Sequence, residues 1–176
     1  ANAIPTIFWT IYYLATNPKY YSRVEEEIQE VLAGRELHQL TYKELLAIST
    51  LKNALEESIR LHSPPMIVRG ALQPVQVKDF VVPQGHFICL SPFWIHRADT
   101  AFENASQWIP DRWKESATRA APFLAFGKGK YRCPGQSFAY CGMILALCQV
   151  LSHVSISVDE AELPIDPNNL VGMNKP

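Results

Sequence analysis

The sequence predicts a mainly α-helical fold with small β-sheets, and three features of the chain predict it. Helical patterns with recognisable ends fill residues 1–61, and short β-type runs follow within residues 75–90. A long apolar helical run then covers residues 136–151. The chain has 176 residues, which is room for one compact unit.

The N-terminal third predicts helices in succession. Residues 1–16 have the pattern of a buried helix end. Asn17 as N-cap and Pro18 at the first helical position begin the next helix, and Gly34 ends it. Its apolar stripe consists of Val24, Ile28, Val31 and Leu32.

Two further helices are predicted before the strands. Thr41 and Glu44 have the spacing of a capping box, which opens a short helix through Ile48. A helix from about Leu51 to Leu61 follows, with Leu51, Leu55 and Ile59 facing inward, and Pro64-Pro65 ends it.

The second half predicts strands, a long loop and a buried helix. The β-type runs are Val75 with Val77, Phe80–Val82 and Phe87–Leu90, with a type I turn predicted at residues 82–85. Residues 91–99 suggest a short helix. Residues 100–135 are irregular, and because loops of this length are uncommon in a compact domain, we expect this one to have a function. Residues 136–151 are apolar nearly all round and predict a fully buried helix, after which the tail adds weak strand patterns.

Composition excludes several classes of protein. The chain has 16 basic and 17 acidic residues, so it lacks the strongly basic surface of a nucleic-acid-binding protein. The apolar run Ala3–Ala15 is about 13 residues long, too short to span a bilayer, and no signal peptide is recognisable. The four cysteines form no Cys-x-x-Cys pair and are interpreted as reduced thiols. Both ends have the appearance of cuts, so we expect a piece of a longer protein.

The segment Phe126-Gly-Lys-Gly129-Lys-Tyr-Arg-Cys133-Pro-Gly135 carries the strongest chemical signal. Its glycines allow unusual turns and close approach to a flat ligand. Cys133 comes just before the long apolar helix, whose N-terminus favours a thiolate. A nucleophile would need an oriented histidine, and zinc would need three more ligands. A single thiolate suits a haem iron, since the porphyrin supplies four nitrogens.

The pattern Phe-x-x-Gly-x-x-x-Cys-x-Gly resembles the haem-binding loop of the cytochrome P-450 superfamily. Two more segments resemble family signatures, and they come in the family's order. The first, Glu57-Ser-Ile-Arg60, resembles the Glu-x-x-Arg helix of the family. The second, Pro110-Asp-Arg112-Trp113, resembles its Pro-Glu-Arg-Phe segment. The resemblance implies that residues 1–176 are the C-terminal part of the cytochrome P-450 fold, a partial haem-thiolate domain truncated at both ends.

The resemblance also implies site residues. Cys133 would be the axial iron ligand and Phe126 would pack against its sulfur. Glu57, Arg60 and Arg112 would form a buried network that holds the loop; taken alone, Glu57–Arg60 would be a surface ion pair, with Glu56–Arg60 as a rival. The remaining haem contacts would be Gly129, Gly135, Arg69, Tyr131 and Arg132. His96-Arg97 is a common dipeptide of the family, without an assigned chemical role.

Two positions depart from the family pattern. The family usually has Arg or His where this chain has Tyr131. The acid and alcohol of its oxygen-binding helix are replaced by Ile4 and Pro5, so that Thr6 or ordered water would have to deliver protons. The segment around Pro5, with Phe8-Trp9, is similar to the branch that contains cholesterol 7α-hydroxylase, sterol 12α-hydroxylase and prostacyclin synthase.

The function implied is a haem-thiolate monooxygenase that inserts one oxygen atom from O₂ into an apolar substrate such as a sterol or lipid. NADPH would supply electrons through a reductase, and a membrane anchor before residue 1 would place the enzyme on the cytoplasmic face of the endoplasmic reticulum. Two alternatives stay open: a haem-thiolate isomerase or dehydratase acting on a peroxide, and a non-catalytic fragment. We expect the 176-residue piece alone to be inactive.

Overall fold

The structure is a computed structural model that describes residues 3–63, 66–114 and 122–158. It is mainly helical with two small antiparallel sheets, which confirms the predicted fold class. The α-helices are α1 (Ala3–Ala15), α2 (Pro18–Leu32), α3 (Tyr42–Leu45), α4 (Ser49–Leu61), α5 (Pro92–Ile95) and α6 (Gln136–Leu151). Short 3-10 helices cover Leu37–Gln39, Pro110–Lys114 and Gly129–Tyr131.

Helix α4 lies at the centre of the core and packs against α1, α2 and α6. Leu51, Leu55 and Ile59 are buried in that core, as predicted. The helix begins at Ser49, earlier than its apolar stripe suggests, because Glu27 on α2 caps it from a distance. The Glu27 carboxylate accepts the Thr50 amide at 2.7 Å and the Thr50 hydroxyl at 2.6 Å.

The predicted helix ends are correct to within a few residues. Asn17 occupies the N-cap position of α2, but its side-chain amide donates to the Tyr13 carbonyl at 2.8 Å and does not cap the helix. The capping box of α3 is confirmed: the Glu44 amide donates to the Thr41 hydroxyl, and the Thr41 amide donates to the Glu44 carboxylate. Helix α3 ends at Leu45, so the prediction of a helix through Ile48 was too long.

The strands form two separate two-stranded sheets. Strand β1 (Ile67–Gly70) pairs with β4 (Phe87–Leu90), and β2 (Val75–Val77) pairs with β3 (Phe80–Val82). The turn predicted at residues 82–85 is shifted by one residue: between β3 and β4 the His86 amide donates to the Pro83 carbonyl at 3.3 Å. Gly85, the third residue of this turn, has a φ of +84°, so the turn is not of type I as predicted. Because it lies between β3 and β4, the turn links two sheets and does not close a hairpin.

The prediction of a fully buried final helix is wrong for one face of α6. Ile144 and Leu147 are fully buried against α1 and α4, but Phe138 is 85% exposed. Helix α1 is likewise one-sided, because Ile4 and Phe8 are more than half exposed. Each helix packs on neighbours along one side only, so an apolar sequence all round does not bury it all round.

The remaining connections follow the prediction in outline. The short helix expected over residues 91–99 is shorter than predicted, since α5 covers only Pro92–Ile95. The described parts of residues 100–135 are irregular apart from two 3-10 turns. Residues 152–158 contain no strand, and the rest of the tail lies outside the described residues. Among the described residues, no helix is both long and apolar enough to cross a membrane.

Candidate functional site

Cys133 lies at the end of a tight loop that leads into α6. Its backbone amide donates to the Phe126 carbonyl at 2.8 Å, which closes the loop. Gly127 has a φ of +72°, and a β-carbon there would lie 3.2 Å from the Tyr131 carbonyl oxygen. A larger residue at position 127 would therefore have a strained backbone conformation and a tight contact with the Tyr131 carbonyl oxygen. The loop leaves Cys133 exposed.

The Cys133 side chain is in the wall of a cavity of about 590 Å³. Five residues predicted for the site line this cavity together: Thr6, Arg69, Phe126, Tyr131 and Cys133. The cavity is bounded by α1 on one side, by β1 and the end of α4 along its edge, and by the cysteine loop with the start of α6 on the other. The fold thus brings residues from distant parts of the sequence to one space.

Three predicted haem contacts do not line this cavity. Arg132 points away from it: its Nε donates to Gln136 Oε1 at 2.9 Å, beside a separate groove that includes Glu56 and Tyr140. Gly129 has a φ of +67° and serves the turn of the loop. Gly135 is the N-cap residue of α6, where a β-carbon would lie 3.9 Å from the Cys133 sulfur, an ordinary contact.

Arg69 and Tyr131 form a pair at the cavity edge. The Arg69 guanidinium lies over the Tyr131 ring, 4.8 Å from its centroid, and its Nη1 donates to the Val68 carbonyl at 2.8 Å. Stacking on a ring leaves the edge of a guanidinium free to bind an anion in its plane. The Arg69 guanidinium thus provides a positive charge at the cavity edge, next to Tyr131, the residue that replaces the usual Arg or His of the family.

Thr6 lies on the opposite wall and is only 4% exposed. Its carbonyl accepts the Thr10 hydroxyl at 2.8 Å, one turn along α1. Helix α1 carries no Asp or Glu. Thr6 is therefore the polar side chain that α1 presents to the cavity.

The donor chemistry of the cavity fits a haem iron. The described residues contain no group of three or more His, Cys, Asp and Glu side chains able to hold a metal ion by themselves. A single thiol suits a metal whose other equatorial ligands come with the cofactor, as the porphyrin nitrogens do. The thiol, the apolar lining and the cationic Arg69 at the edge together match the iron, the macrocycle and the acidic substituents of haem.

Glu57 lies at the centre of a buried hydrogen-bond network behind the cavity. Its Oε1 accepts Arg60 Nη2 at 2.8 Å, Arg112 Nε at 3.0 Å and the Ile109 amide at 2.9 Å. Its Oε2 accepts Arg60 Nε at 2.9 Å and Trp113 Nε1 at 2.9 Å. The carboxylate is 0% exposed. The rival pair with Glu56 is not among the ion pairs of Arg60, whose N–H groups donate to Glu57 and to backbone carbonyls; Glu56 Oε1 lies 3.6 Å from Lys52 Nζ.

The two guanidinium groups extend this network to the irregular loop. Arg60 donates to the carbonyls of His96, Ala105 (2.7 Å) and Gln107 (3.0 Å). Arg112 donates to the carbonyls of Glu103 at 2.7 Å and Asn104 at 3.3 Å. One ion cluster on α4 thus fixes the course of residues 96–113, which have little regular structure of their own.

His96 is a positioning residue, for which the sequence suggested no more than packing or a haem propionate contact. Its Nε2 accepts the Leu124 amide at 2.8 Å, and its Nδ1 lies 2.8 Å from the Ser63 hydroxyl. The Ser63 hydroxyl itself donates to the Ile59 carbonyl, so Nδ1 carries the ring proton. Burial lowers the pKa of His96 to about 4, which keeps the ring neutral. The only sequence signal was its place in a family dipeptide.

His62 is a second histidine without a predicted role. It lines the cavity, stacks on the Trp9 ring at 3.9 Å between centroids, and lies 3.1 Å from the Tyr13 hydroxyl through Nε2. Burial and the charge of Arg97 lower its pKa to about 3. The sequence position of His62, directly after α4, did not predict this environment, because Trp9 and Tyr13 on α1 form it.

Comparison with known proteins agrees with this geometry. The family model for cytochrome P-450 matches residues 2–176. Mouse 24-hydroxycholesterol 7-alpha-hydroxylase is 34% identical over the whole chain, which covers 39% of that protein, and the human enzyme of the same name is 30% identical over the same shares. The crystal structure of the cytochrome P450DA heme domain superposes with a TM-score of 0.74 at 25% identity, covering 85% of this chain and 33% of that one.

The chain spans about two-fifths of the length of these curated relatives. Members of the family are haem-thiolate enzymes, which agrees with the single thiol of the cavity. The matched family model and the arrangement of Cys133, Glu57, Arg60 and Arg112 lead to one conclusion: the chain belongs to the cytochrome P-450 family.

Proposed function

We propose that this chain is the C-terminal part of a haem-thiolate monooxygenase, in which the Cys133 sulfur would hold the haem iron. The observation that carries the proposal is the exposed Cys133 thiol in the wall of a cavity whose other walls come from α1, α4 and β1. Bound haem would supply the activation of O₂ that such enzymes use to oxidise apolar substrates.

The chain's own residues would hold and orient the cofactor. Phe126 and Met143 would cover the sulfur side of the cavity and limit access of water to it. Arg69, held against Tyr131, would bind one acidic substituent of the porphyrin. The Glu57 network would fix the loop that carries the cysteine. The Thr6 hydroxyl would hold and pass a proton on the α1 side of the cavity, in place of an acid that α1 does not have.

Substrate and partners are proposed from relatives. Relatives named as a hydroxylase of 24-hydroxycholesterol and as lanosterol 14-alpha demethylase, the latter from Candida tropicalis, favour a sterol or another lipid as substrate. The same proposal includes a reductase that passes electrons from NADPH to the enzyme. It also includes an anchor outside these residues that holds the enzyme at the endoplasmic reticulum membrane.

Turnover of the full-length protein with sterols tests the activity. We expect oxidation that requires O₂, NADPH and a reductase, and its loss in Cys133→Ser. Cys89→Ser is the matched control, because Cys89 is also exposed but lies on β4 outside the cavity lining. Equal activity of Cys133→Ser and the control would contradict the proposal.

A haem-thiolate isomerase or dehydratase is the second candidate. It is favoured by the absence of any carboxylate on α1, because rearrangement of a peroxide needs no proton delivery to bound oxygen. Rearrangement of a lipid hydroperoxide without NADPH or reductase would support this candidate and count against the monooxygenase.

The third candidate is that residues 1–176 alone are non-catalytic. Addition of hemin to the isolated chain tests it. A chain that takes up no haem, while the full-length protein does, would show that the remainder of the protein completes the cavity.

A further inference from the structure

A continuous row of aromatic rings leads away from the cavity wall toward the surface. His62 lines the cavity and lies 5.8 Å from the Tyr13 ring, centroid to centroid. The Tyr13 ring is stacked on Trp108 at 5.1 Å with an interplanar angle of 13°. Trp108 meets the Tyr20 ring edge-on at 5.4 Å. Tyr20 is partly exposed, so the row ends at solvent.

Each tyrosine in the row has a proton acceptor at hand. The Tyr13 hydroxyl lies 3.1 Å from Nε2 of His62, which can accept its proton when the ring hydrogen is on Nδ1. The Tyr20 hydroxyl donates to Asp111 Oδ2 at 3.1 Å. Burial raises the pKa of Tyr13 to about 12, so the phenol is protonated at rest. Core packing alone requires ring contacts, but it does not require a base beside both phenols.

We propose that Tyr13, Trp108 and Tyr20 form a relay that carries a one-electron oxidising equivalent from the haem cavity to the protein surface. The proposal rests on the proposed function, because the oxidant is haem that a hydroperoxide has oxidised. Tyrosine and tryptophan are the side chains that lose one electron most readily while remaining intact. Such a relay would spare the cavity lining when oxidised haem meets no substrate.

The steps balance in electrons and protons. Tyr13 gives one electron to the oxidised haem, and its phenolic proton moves to His62. The oxidised phenol is a far stronger acid than imidazolium, so the neutral ring accepts the proton despite its low pKa. Trp108 then gives one electron to the Tyr13 radical, which recovers its proton from His62. Tyr20 finally gives one electron to oxidised Trp108 and its proton to Asp111. A soluble thiol restores Tyr20 with one electron and one proton and becomes a thiyl radical, and Asp111 releases its proton to solvent, so that the net change is one electron to the haem and one proton to water.

The test uses the full-length protein loaded with haem and treated with a hydroperoxide. Radicals are recorded by electron paramagnetic resonance of rapidly frozen samples, and a nitroso spin trap followed by peptide mass mapping locates them. We expect the trap on Tyr20 in the wild type and its loss from Tyr20 in Tyr13→Phe and Trp108→Phe. The conservative Tyr21→Phe is the control, because its hydroxyl contacts the Val154 carbonyl at 3.4 Å, away from the row.

Haem content and the spectrum of the reduced carbonyl complex are measured for every variant, so a misfolded variant is recognised. Tyr20→Phe is a further variant, in which the ring is kept and the hydroxyl is removed. In this variant we expect the trapped radical on Trp108 or Tyr13. The relay alone is overturned by either of two results. The first is that the haem-loaded wild type shows no trapped radical at Tyr20. The second is that trapping at Tyr20 is unchanged in Tyr13→Phe and Trp108→Phe. A full-length chain that binds no haem overturns the proposed function and the relay together.

Discussion

Glu57→Gln is expected to lower the free energy of unfolding by about 3–5 kcal/mol, the usual cost of breaking a buried ion pair on one side. The Glu57 carboxylate accepts hydrogen bonds from Arg60, Arg112, Trp113 and the Ile109 amide, all between 2.8 and 3.0 Å. Glutamine has nearly the same shape, but it has one acceptor oxygen and an NH₂ group. In either orientation, that NH₂ group faces N–H donors. Two buried guanidinium groups also lose their counter-charge.

Glu56→Gln is the matched control on the same helix. Glu56 pairs with Lys52 at 3.6 Å, with side chains 18% and 31% exposed. A partly exposed pair of this kind contributes about 0–1 kcal/mol. The two variants should therefore differ by at least about 2 kcal/mol, which is more than a tenfold difference in the unfolding equilibrium.

Urea unfolding of the full-length protein, followed by tryptophan fluorescence, measures this difference. Trp113 donates to Glu57 directly, so it is one of the four tryptophans of this chain that contribute to the signal and the one in contact with the site. If Glu57→Gln is as stable as Glu56→Gln, the network does not hold the loop in the way described here.

Three further predictions concern the core, the loop and the cavity edge. Leu55→Ala should lower the free energy of unfolding by about 2–5 kcal/mol, because Leu55 is fully buried. Phe138→Ala should lower it much less, because the Phe138 side chain is 85% exposed. Urea unfolding of the two variants measures the difference. Because the pKa of His96 is lowered from 6.5 to about 4, its contribution to stability is complete above about pH 6.5 and is lost as the pH falls toward 4. His96→Gln should make this part of the stability profile less steep, and His62, with a pKa lowered to about 3, should account for the slope that remains. Arg69→Ala should release haem to an apo-globin acceptor roughly 10- to 100-fold faster, the effect of one lost charge-assisted hydrogen bond, while Arg23→Ala on α2 should not.

Local signals in the sequence were sufficient to predict most helices. Periodic apolar residues placed α4, and the Thr41–Glu44 capping box placed α3, since both depend on neighbours a few residues apart. The pairing of β1 with β4 was not predictable from such signals, because residues 67 and 90 meet only through tertiary structure. The exposed face of α6 was missed for the same reason: composition does not say which side of a helix finds a neighbour.

The site shows the same division. Motif spacing predicted the contacts of Glu57 with Arg60 and Arg112, and it predicted Cys133 as the site residue of its loop. Long-range contacts of His96 with Leu124 carry no local pattern, so its positioning role emerged only from the structure. Side-chain direction was also invisible in sequence: consecutive residues of the loop send Tyr131 toward the cavity and Arg132 away from it.

The bond between the Cys133 sulfur and the haem iron is the central claim, and the absorption spectrum of the reduced carbonyl complex of the full-length protein tests it most directly. We predict a thiolate-type spectrum for the wild type and for Cys141→Ser, and its loss in Cys133→Ser. A spectrum typical of imidazole ligation in the wild type, or an unchanged thiolate spectrum in Cys133→Ser, would contradict the account.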